Sequence, residues 1–304
     1  TNLGLRQRIG AGKIATFLLN LVGVVKFAFT VRPGDVVVLQ YPVKKYFSLL
    51  CLVAKLRGAR TIAFVHDLGS CRRKKISVHT EIRRLNHASY VIAANEVMER
   101  WLVDHGLTAM HSYLGFHDYL CPATPVRKAN MEPWALTYAG SLNMRKNAFM
   151  LEFSSIGMPL FLYGYLGSYD AAQSDVSLIT ELGYTSPEQF IATAQGDFGL
   201  VWDGPGLDSC SGDWGEYLAL NTPHKCSFYI RAHLPLVMWS GAAMASEVRR
   251  RNIGISVDSL RELPDKLCRI TREEYAAMKA NVAMLAEELA NGRPMAGAVT
   301  LACQ

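Results

Sequence analysis

The sequence predicts an α/β protein made of two Rossmann-like, doubly wound domains in tandem. Short, almost unbroken apolar runs recur along the chain, as is typical of strands buried on both faces of a parallel sheet. Each run is followed by a segment with helix start or stop signals. The 304 residues, 50% of them hydrophobic and 19% charged, suffice for two domains with separate cores.

In the first half, the apolar run from Ile14 to Phe29 is interrupted by Asn20 and Lys26. It falls short of the roughly 20 residues that a membrane span needs, so we expect a buried helix. An α/β domain normally opens on a strand and none precedes this helix, so we expect the natural amino terminus to extend beyond Thr1. Strands are then expected at residues 36–41, 61–67 and 90–95, with helices at 45–57, 79–87 and 95–105.

In the second half, the proline-rich segment 121–134 is a candidate linker. We expect domains at residues 1–130 and 131–270, followed by a long terminal helix in 271–304. Parallel sheets bind ligands at the carboxyl ends of their strands, which favours a site in the cleft between the domains. Strands are expected at 135–141, 160–165, 198–203, 235–239 and 254–259, and helices at 187–195 and 271–292.

The charge is distributed unevenly. Residues 1–133 contain 19 Lys and Arg against 8 Asp and Glu, or +11, whereas residues 134–304 contain 13 against 18, or −5. A basic first half favours an anionic partner, although a solvated basic surface explains it equally well. Seven scattered cysteines without metal-ligand or redox spacing indicate a reducing cytoplasm, and no secretion signal is visible.

The segment from Asn221 to Trp239 predicts an anion site. Pro223 suits the first turn of a helix, so His224 and Lys225 should stand at the amino end of a helix that runs to about His233. Free backbone N–H groups, the helix dipole and the lysine ammonium would all favour a phosphate there. An ordinary helix-to-strand unit is the alternative.

Small, aromatic and acidic residues follow three predicted strands in this half. Gly140 and Ser141 could approach a phosphate closely, and Tyr163 and Gly164 end the next strand. Asp203 ends a third and could accept hydrogen bonds from sugar hydroxyls. Each alone is compatible with a plain turn, but together with the lysine they predict a nucleotide site.

His66 and Asp67 end a strand of the first domain. Either side chain could act as a general base on an acceptor hydroxyl, or the pair could simply cap the next element. No His-x-x-x-His or cysteine cluster suggests a metal site. We therefore expect neither a metal nor a cofactor.

Several segments resemble one known family: VWDG, GEYLALNTPHKCSFYIRAHLPLVMW and AAMASEVRRRNIGISVDSLREL in the second half, FVHDLGS and HASYVIAANEVMERWL in the first. They are similar to the bacterial galactofuranosyltransferase-like and glucosyltransferase group of the GT-B fold. The resemblance implies two Rossmann-like domains, a nucleotide sugar held mainly by the second, an acceptor facing the first and no metal requirement. It also implies a terminal helix that crosses back to the first domain.

The resemblance also assigns residues. Gly140, Ser141, His224 and Lys225 would hold the diphosphate. The base and ribose region would be lined by Tyr163, Gly164 and Tyr184, and the sugar and phosphates would lie near Asn221 and Tyr229. The sequence departs from the family at Phe228, where many relatives have a ribose-binding glutamate, and at Ala232–His233, where they have Ala-Gly.

The function expected is transfer of a hexose, galactofuranose in the first instance, from a UDP-sugar to a carbohydrate or lipid-linked acceptor in bacterial cell-surface polysaccharide synthesis. Arg8, Gly10, Arg72 and Arg73 would attract an acceptor diphosphate, and the basic half would contact the inner membrane peripherally. A non-catalytic nucleotide-sugar-binding partner subunit is the alternative, and a homo-oligomer is left open. A nucleic-acid-binding protein is disfavoured because basic and aromatic residues are not interleaved.

Overall fold

The computed structural model describes residues 13–43, 46–72, 74–126, 134–140, 143–164 and 177–304. The chain forms two compact units. The first contains the described residues up to Ala93 together with Glu99–Tyr113 and Ala298–Gln304. The second contains Ala94–Met98 and Leu114–Gly297, so residues 114–126, which the sequence assigns to the first domain, cluster with the second unit.

The first unit is a parallel sheet with its helices. The strands run in the order β1-β2-β3-β4, and Val36 to Tyr41 of β1 pair with Arg60 to Val65 of β2. The elements are α1 (Lys13–Thr30), β1 (Val36–Tyr41), α2 (Phe47–Leu56), β2 (Arg60–Val65), α3 (Gly69–Arg72), α4 (Val78–Leu85), β3 (Tyr90–Ala93), α5 (Glu96–Asp104) and β4 (Met110–Tyr113).

Three strands predicted in this unit are confirmed, and the buried runs of β2 and β3 explain why they were visible. Strand β4 was missed because its residues MHSY are largely exposed and carry no apolar pattern. Among the described residues, the strands of this sheet lie side by side in the order in which they occur in the chain. The reversal of strand order that defines double winding occurs in the sheet of the second unit.

The expectation of a buried first helix was only partly right. Val24 and Phe27 of α1 are buried, whereas Val22, Val25 and Phe29 are at least half exposed. Apolar residues therefore occupy two faces of this helix. One face packs on the unit and the other faces solvent. No helix in the described ranges combines the length and apolar character that a membrane span requires.

The second unit contains a six-stranded parallel sheet in the order β10-β9-β8-β5-β6-β7. The chain starts at β5, proceeds outwards to β7, and returns to the other side of β5 with β8. This sheet is doubly wound, with its switch point between β5 and β8. Its elements are β5 (Leu136–Ala139), α6 (Met144–Asn147), β6 (Leu160–Tyr163), β7 (Ile179–Glu181), α7 (Pro187–Thr193), β8 (Phe198–Val201), α8 (Gly212–Gly215), α9 (His224–Arg231), β9 (Leu236–Trp239), α10 (Ala245–Arg250), β10 (Gly254–Val257), α11 (Leu263–Leu267), α12 (Arg272–Ala290) and α13 (Arg293–Cys303).

All five strands predicted for this half are present, and β7 was missed because it is a three-residue, half-exposed edge strand. The predicted caps also form. Ser186 accepts the amide of Gln189 at 3.2 Å, and Thr271 and Glu274 make the reciprocal bonds of a capping box. Helix α9 ends at Arg231, slightly earlier than expected, and His233 has a positive φ of 56° in the turn that follows.

The expected terminal helix is α12, and a further helix, α13, follows it. The last residues of α13 belong to the first unit, where the Arg60 guanidinium donates to the Ala302 and Cys303 carbonyls at 3.0 Å each. The candidate linker is anchored at its start. The buried Arg231 side chain donates to the carbonyls of Cys121 at 2.6 Å and Ala123 at 2.9 Å.

Candidate functional site

The candidate site lies at the carboxyl edge of the second sheet, at its topological switch point. Gly140 follows β5 and Asp203 follows β8, and these two strands are neighbours although about 60 residues separate them in the chain. The strand order therefore brings together residues that lie far apart in the sequence.

Glycines keep the backbone at this edge free of side chains. Gly140 has a φ of 143°, which favours glycine, and its amide donates to the Tyr163 carbonyl at 3.1 Å. A Cβ on Gly164 would lie 2.5 Å from the Gly140 carbonyl oxygen. The segments after β5 and β6 thus touch through bare backbone, a contact that a side chain at position 164 would prevent.

Lys225 is at the amino end of α9, as predicted. Its ammonium lies 3.7 Å from Asp203 Oδ1, donates to the hydroxyl of Tyr138 and sits 3.7 Å from the centre of that ring. Tyr138 is fully buried in β5, and its hydroxyl also accepts from Asn147. The lysine is therefore held in place by Tyr138 of β5 and by Asp203 of the segment after β8.

The environment of Lys225 disfavours its charged form. Burial is the main cause that lowers its pKa to about 7, and the nearby Lys146 acts in the same direction. The Asp203 carboxylate opposes this shift. The side chain is still 17% exposed. A lysine with a pKa near neutrality gains a proton readily when an anion binds beside it.

The structure adds a second cation that the sequence reading missed. Lys146 Nζ lies 3.2 Å from Asp203 Oδ2, so one carboxylate is flanked by two lysines. The signal available in the sequence was a lysine six residues beyond Gly140, in the short helix after β5. The two lysines outnumber the single carboxylate, and together with the helix amino end they make this edge of the sheet suited to an anion.

His224 is exposed, next to Lys225, and its ring stacks on that of His117 with centroids 4.2 Å apart. His117 is buried, and its Nε2 lies 3.2 Å from the Thr222 carbonyl oxygen. Asp118, the next residue in the chain, accepts the Met295 amide at the start of α13, and burial raises the pKa of its carboxyl.

The remaining predicted donor-site residues divide into two groups. Asn221 is half-buried, and its Oδ1 has no hydrogen-bond partner among the described residues, so it can still accept a bond from a ligand. Tyr229 is fully buried, and its hydroxyl accepts the Ala139 amide at 2.8 Å. It therefore supports the end of β5 from the core, and its closeness to the sugar and phosphates stays a prediction.

Tyr163 and Tyr184 occupy different environments. The Tyr163 hydroxyl accepts the Gln195 amide at 2.7 Å, while Tyr184 is 76% exposed. Beside Tyr163 an open depression of about 510 Å³ is lined by Tyr163, Leu182, Thr185, Gln189, Thr193 and Gln195.

Phe228 replaces the glutamate that binds ribose in many members of the resembled group. Its ring stacks on Phe190 with centroids 4.2 Å apart and also contacts Tyr119 at 5.4 Å. This position belongs to an aromatic cluster in the second unit and offers no polar atom to a ribose.

The predicted catalytic pair lies at the end of β2 in the first unit. His66 is half-buried and packs edge-on against Phe64, with centroids 4.3 Å apart. The Asp67 carboxylate forms an ion pair with Arg72, and both side chains are more than a quarter exposed. Arg72, predicted to attract an acceptor, is thus engaged with the predicted base.

Glu81 is a residue of this unit that the sequence reading missed. It is fully buried in α4, and its carboxylate accepts from the Tyr41 hydroxyl and the amides of Gly69 and Ser70, each at 2.8 Å. The Ser70 hydroxyl donates to it as well. These bonds hold the first turn of α3 and hence the segment that carries Asp67 and Arg72. Nothing in the local sequence marks Glu81, because its partners are 11 to 40 residues away.

Four predicted site residues lie outside the described part of the chain. They are Ser141 of the donor site and Arg8, Gly10 and Arg73 of the acceptor site.

Two family models match the chain. "Glucosyltransferase 3-like, N-terminal domain" covers residues 11–115, and "Glucosyltransferase 3-like, C-terminal domain" covers residues 136–301. Among characterised proteins, the chain is 28% identical over 302 residues to the β-1,6-galactofuranosyltransferase WbbI of Escherichia coli (strain K12), covering 95% of this chain and 82% of that protein. It is 27% identical over 258 residues to Glucosyltransferase 3 of Streptococcus gordonii, covering 82% and 73% of the two chains.

Solved structures show the same fold at low identity. Anabaena Alr3699/HepE, determined in complex with UDP and glucose, superposes with a TM-score of 0.62 at 14% identity and covers 97% of this chain and 84% of its own. The lipopolysaccharide outer core galactosyltransferase WaaB gives a TM-score of 0.59 at 13% identity, covering 95% and 82%. The chain therefore belongs to the Glucosyltransferase 3-like family and is a glycosyltransferase of the GT-B fold.

Proposed function

We propose that this glycosyltransferase moves a hexose from a UDP-sugar to a carbohydrate or lipid-linked glycan acceptor in cell-surface polysaccharide synthesis, without a metal ion. Galactofuranose is the sugar we propose first, because WbbI, which aligns over 95% of the chain, is named as a galactofuranosyltransferase. The naming of Streptococcus gordonii Glucosyltransferase 3 makes glucose the second sugar to test.

The observation that carries the proposal is the pair of ammonium groups at the switch point. Lys146 and Lys225 flank Asp203, and the amino end of α9 and the bare backbone at Gly140 lie at the same sheet edge. A diphosphate carries at least two negative charges and accepts hydrogen bonds on all sides. Both lysines and the helix amino end can bind it together.

This arrangement also supplies the electrostatic part of the reaction. As the bond between the sugar and UDP breaks, negative charge accumulates on the departing diphosphate. Lys225, with its pKa near 7, would become fully protonated beside that negative charge. Lys146 would also help to neutralise the departing diphosphate. Two fixed cations perform the role that a divalent metal has in other transferases.

The acceptor side of the proposal rests on the first unit. Asp67 would take the acceptor proton if the reaction inverts configuration, with His66 as the alternative base. Arg8, Gly10, Arg72 and Arg73 would bind an acceptor diphosphate. We place the protein in the cytoplasm with peripheral contact to the inner membrane, and propose no nucleic-acid partner.

Calorimetric titration of UDP into the wild type and into Lys225→Ala tests the donor site. Removing the ammonium should weaken UDP binding by about tenfold or more, because a charge-assisted bond is worth about 1.5–3 kcal/mol. Lys266→Ala is the matched control, since this lysine of the same unit is 44% exposed and pairs with Glu262. Equal UDP affinities in all three proteins would refute the proposed site.

Turnover is measured separately with UDP-galactofuranose and UDP-glucose, with and without EDTA. Loss of turnover on chelation would contradict the metal-independent mechanism. Intact UDP binding without turnover of any UDP-sugar would favour a non-catalytic partner subunit. Asp67→Asn and His66→Ala should each retain UDP affinity, and the base is the residue whose loss abolishes turnover.

A further inference from the structure

The first two helices expose an unusual amount of apolar surface. Nine of the eighteen large apolar side chains that are exposed in the described part of the chain lie between Leu21 and Leu56, within 36 of the 304 residues. Isolated exposed apolar residues are ordinary, but a concentration of this kind marks an interaction surface.

The exposed side chains form one stripe on each helix. Val25 and Phe29 are one turn apart on α1 and are 50% and 83% exposed. Leu52 and Leu56 are one turn apart on α2 and are 50% and 76% exposed. Because residues four apart lie on the same face of a helix, each pair presents a continuous apolar surface.

The carboxyl ends of these helices lie side by side. Arg57 Nε donates to the Val31 carbonyl at 3.3 Å, and the Gly34 amide donates to the Gly58 carbonyl at 2.9 Å. Phe29 and Leu56, the two most exposed of the set, are both in the last turn of their helices. We call these two neighbouring stripes, Val25 with Phe29 and Leu52 with Leu56, the helix-end patch.

Cations accompany the helix-end patch. Lys26, Arg32, Lys55 and Arg57 are all exposed, and none forms an ion pair with a described residue. In the wider sequence, the first 66 residues contain ten Lys and Arg and a single acidic residue, Asp35. Four exposed cations therefore accompany the apolar surface, and the sequence around them is rich in basic residues.

We propose that the helix-end patch docks the protein on an anionic lipid surface, with Phe29 and Leu56 entering the boundary between headgroups and acyl chains and the four cations binding lipid phosphates. This identifies the surface responsible for the membrane contact that is part of the proposed function. Apolar side chains surrounded by Lys and Arg without acidic partners are the combination that binds anionic membranes. A second copy of the chain would bring the same positive charges face to face, which disfavours a dimer through this patch.

The test is flotation of the purified protein with phosphatidylcholine vesicles, with or without a quarter of phosphatidylglycerol. The wild type should float with the anionic vesicles at low salt, and less at high salt. Phe29→Ser combined with Leu56→Ser should lower the bound fraction about tenfold or more. Lys55→Gln should lower it about fivefold, the share of one basic residue near an anionic surface.

Met284→Ser is the matched control, because this residue is 63% exposed on α12 of the second unit and should leave flotation unchanged. No flotation of the wild type, or equal flotation of the Phe29→Ser/Leu56→Ser variant, would overturn the proposal. So would a dimer in analytical ultracentrifugation that this variant abolishes.

UDP calorimetry on the same proteins separates this inference from the donor site. The patch variants should bind UDP as the wild type does, since Lys146 and Lys225 are in the other unit. Vesicle binding with no UDP binding would overturn the proposed reaction and leave the docking surface intact. The opposite result would overturn the docking surface alone.

Discussion

The affinity for UDP should fall as the pH rises through 7, because Lys225 must be protonated to bind the diphosphate. Its pKa in the free protein is about 7, lowered chiefly by burial and further by Lys146, and raised in part by Asp203 and by the buried Cys226. A bound diphosphate beside the ammonium favours the charged form and raises the pKa. Binding is then linked to proton uptake, and the linkage is strongest above pH 7.

The size of the effect follows from the pKa. About half of the Lys225 side chains carry a proton at pH 7 and about 3% at pH 8.5, so affinity should fall about 15-fold over this range. Proton uptake per UDP should rise from about 0.5 at pH 7 towards about 1 at pH 8.5 if the bound pKa returns to the ordinary lysine value. UDP is a suitable ligand because the second pKa of its terminal phosphate, about 6, lies below the range.

Calorimetry in two buffers with different ionisation enthalpies gives affinity and proton uptake together. Lys225→Arg should bind with little pH dependence and no uptake, since a guanidinium remains charged throughout. Asp203→Asn should shift the fall to lower pH, because the carboxylate raises the lysine pKa. His224→Gln serves as a control for the exposed neighbouring imidazole and should retain the fall above pH 7. Constant affinity and no proton uptake in the wild type between pH 7 and 8.5 would refute the reasoning.

Three further substitutions test individual contacts. Lys146→Ala should weaken UDP binding about tenfold through loss of one charge-assisted bond, whereas the exposed Lys266→Ala should not, and equal losses would count against a second phosphate-binding lysine. Gly164→Ala places a Cβ 2.5 Å from the Gly140 carbonyl oxygen. It should weaken UDP binding about tenfold by displacing the segment that follows β5. Gly206→Ala meets nothing within 4 Å and is its control in the same titration. Glu81→Gln should lower the melting temperature by about 5 °C and reduce turnover at unchanged UDP affinity, since its bonds lie in the first unit. Wild-type turnover in this variant would remove its positioning role.

The elements with strong local signals were predictable. Buried runs such as residues 198–201 identify strands, and Ser186 and Thr271 identify helix starts through bonds that span only three residues. The exposed edge strands β4 and β7 have no such pattern and were missed. The length of the first apolar run suggested a buried helix, and this was only partly right. Hydrophobicity alone does not distinguish a helix face that packs on the core from one that stays exposed as an interaction surface.

The sequence by itself determined the type and order of the elements with strong local patterns, the presence of Lys225 at a helix amino end, and the glycines after the strands. These features depend on interactions between residues close together in the chain. Only the tertiary structure decided that Gly140 and Asp203 end adjacent strands, that Lys146 joins Lys225 at one carboxylate, and that Tyr229 is buried under β5. Such contacts join residues tens of positions apart, and their partners are fixed by strand order and core packing, which no local pattern encodes.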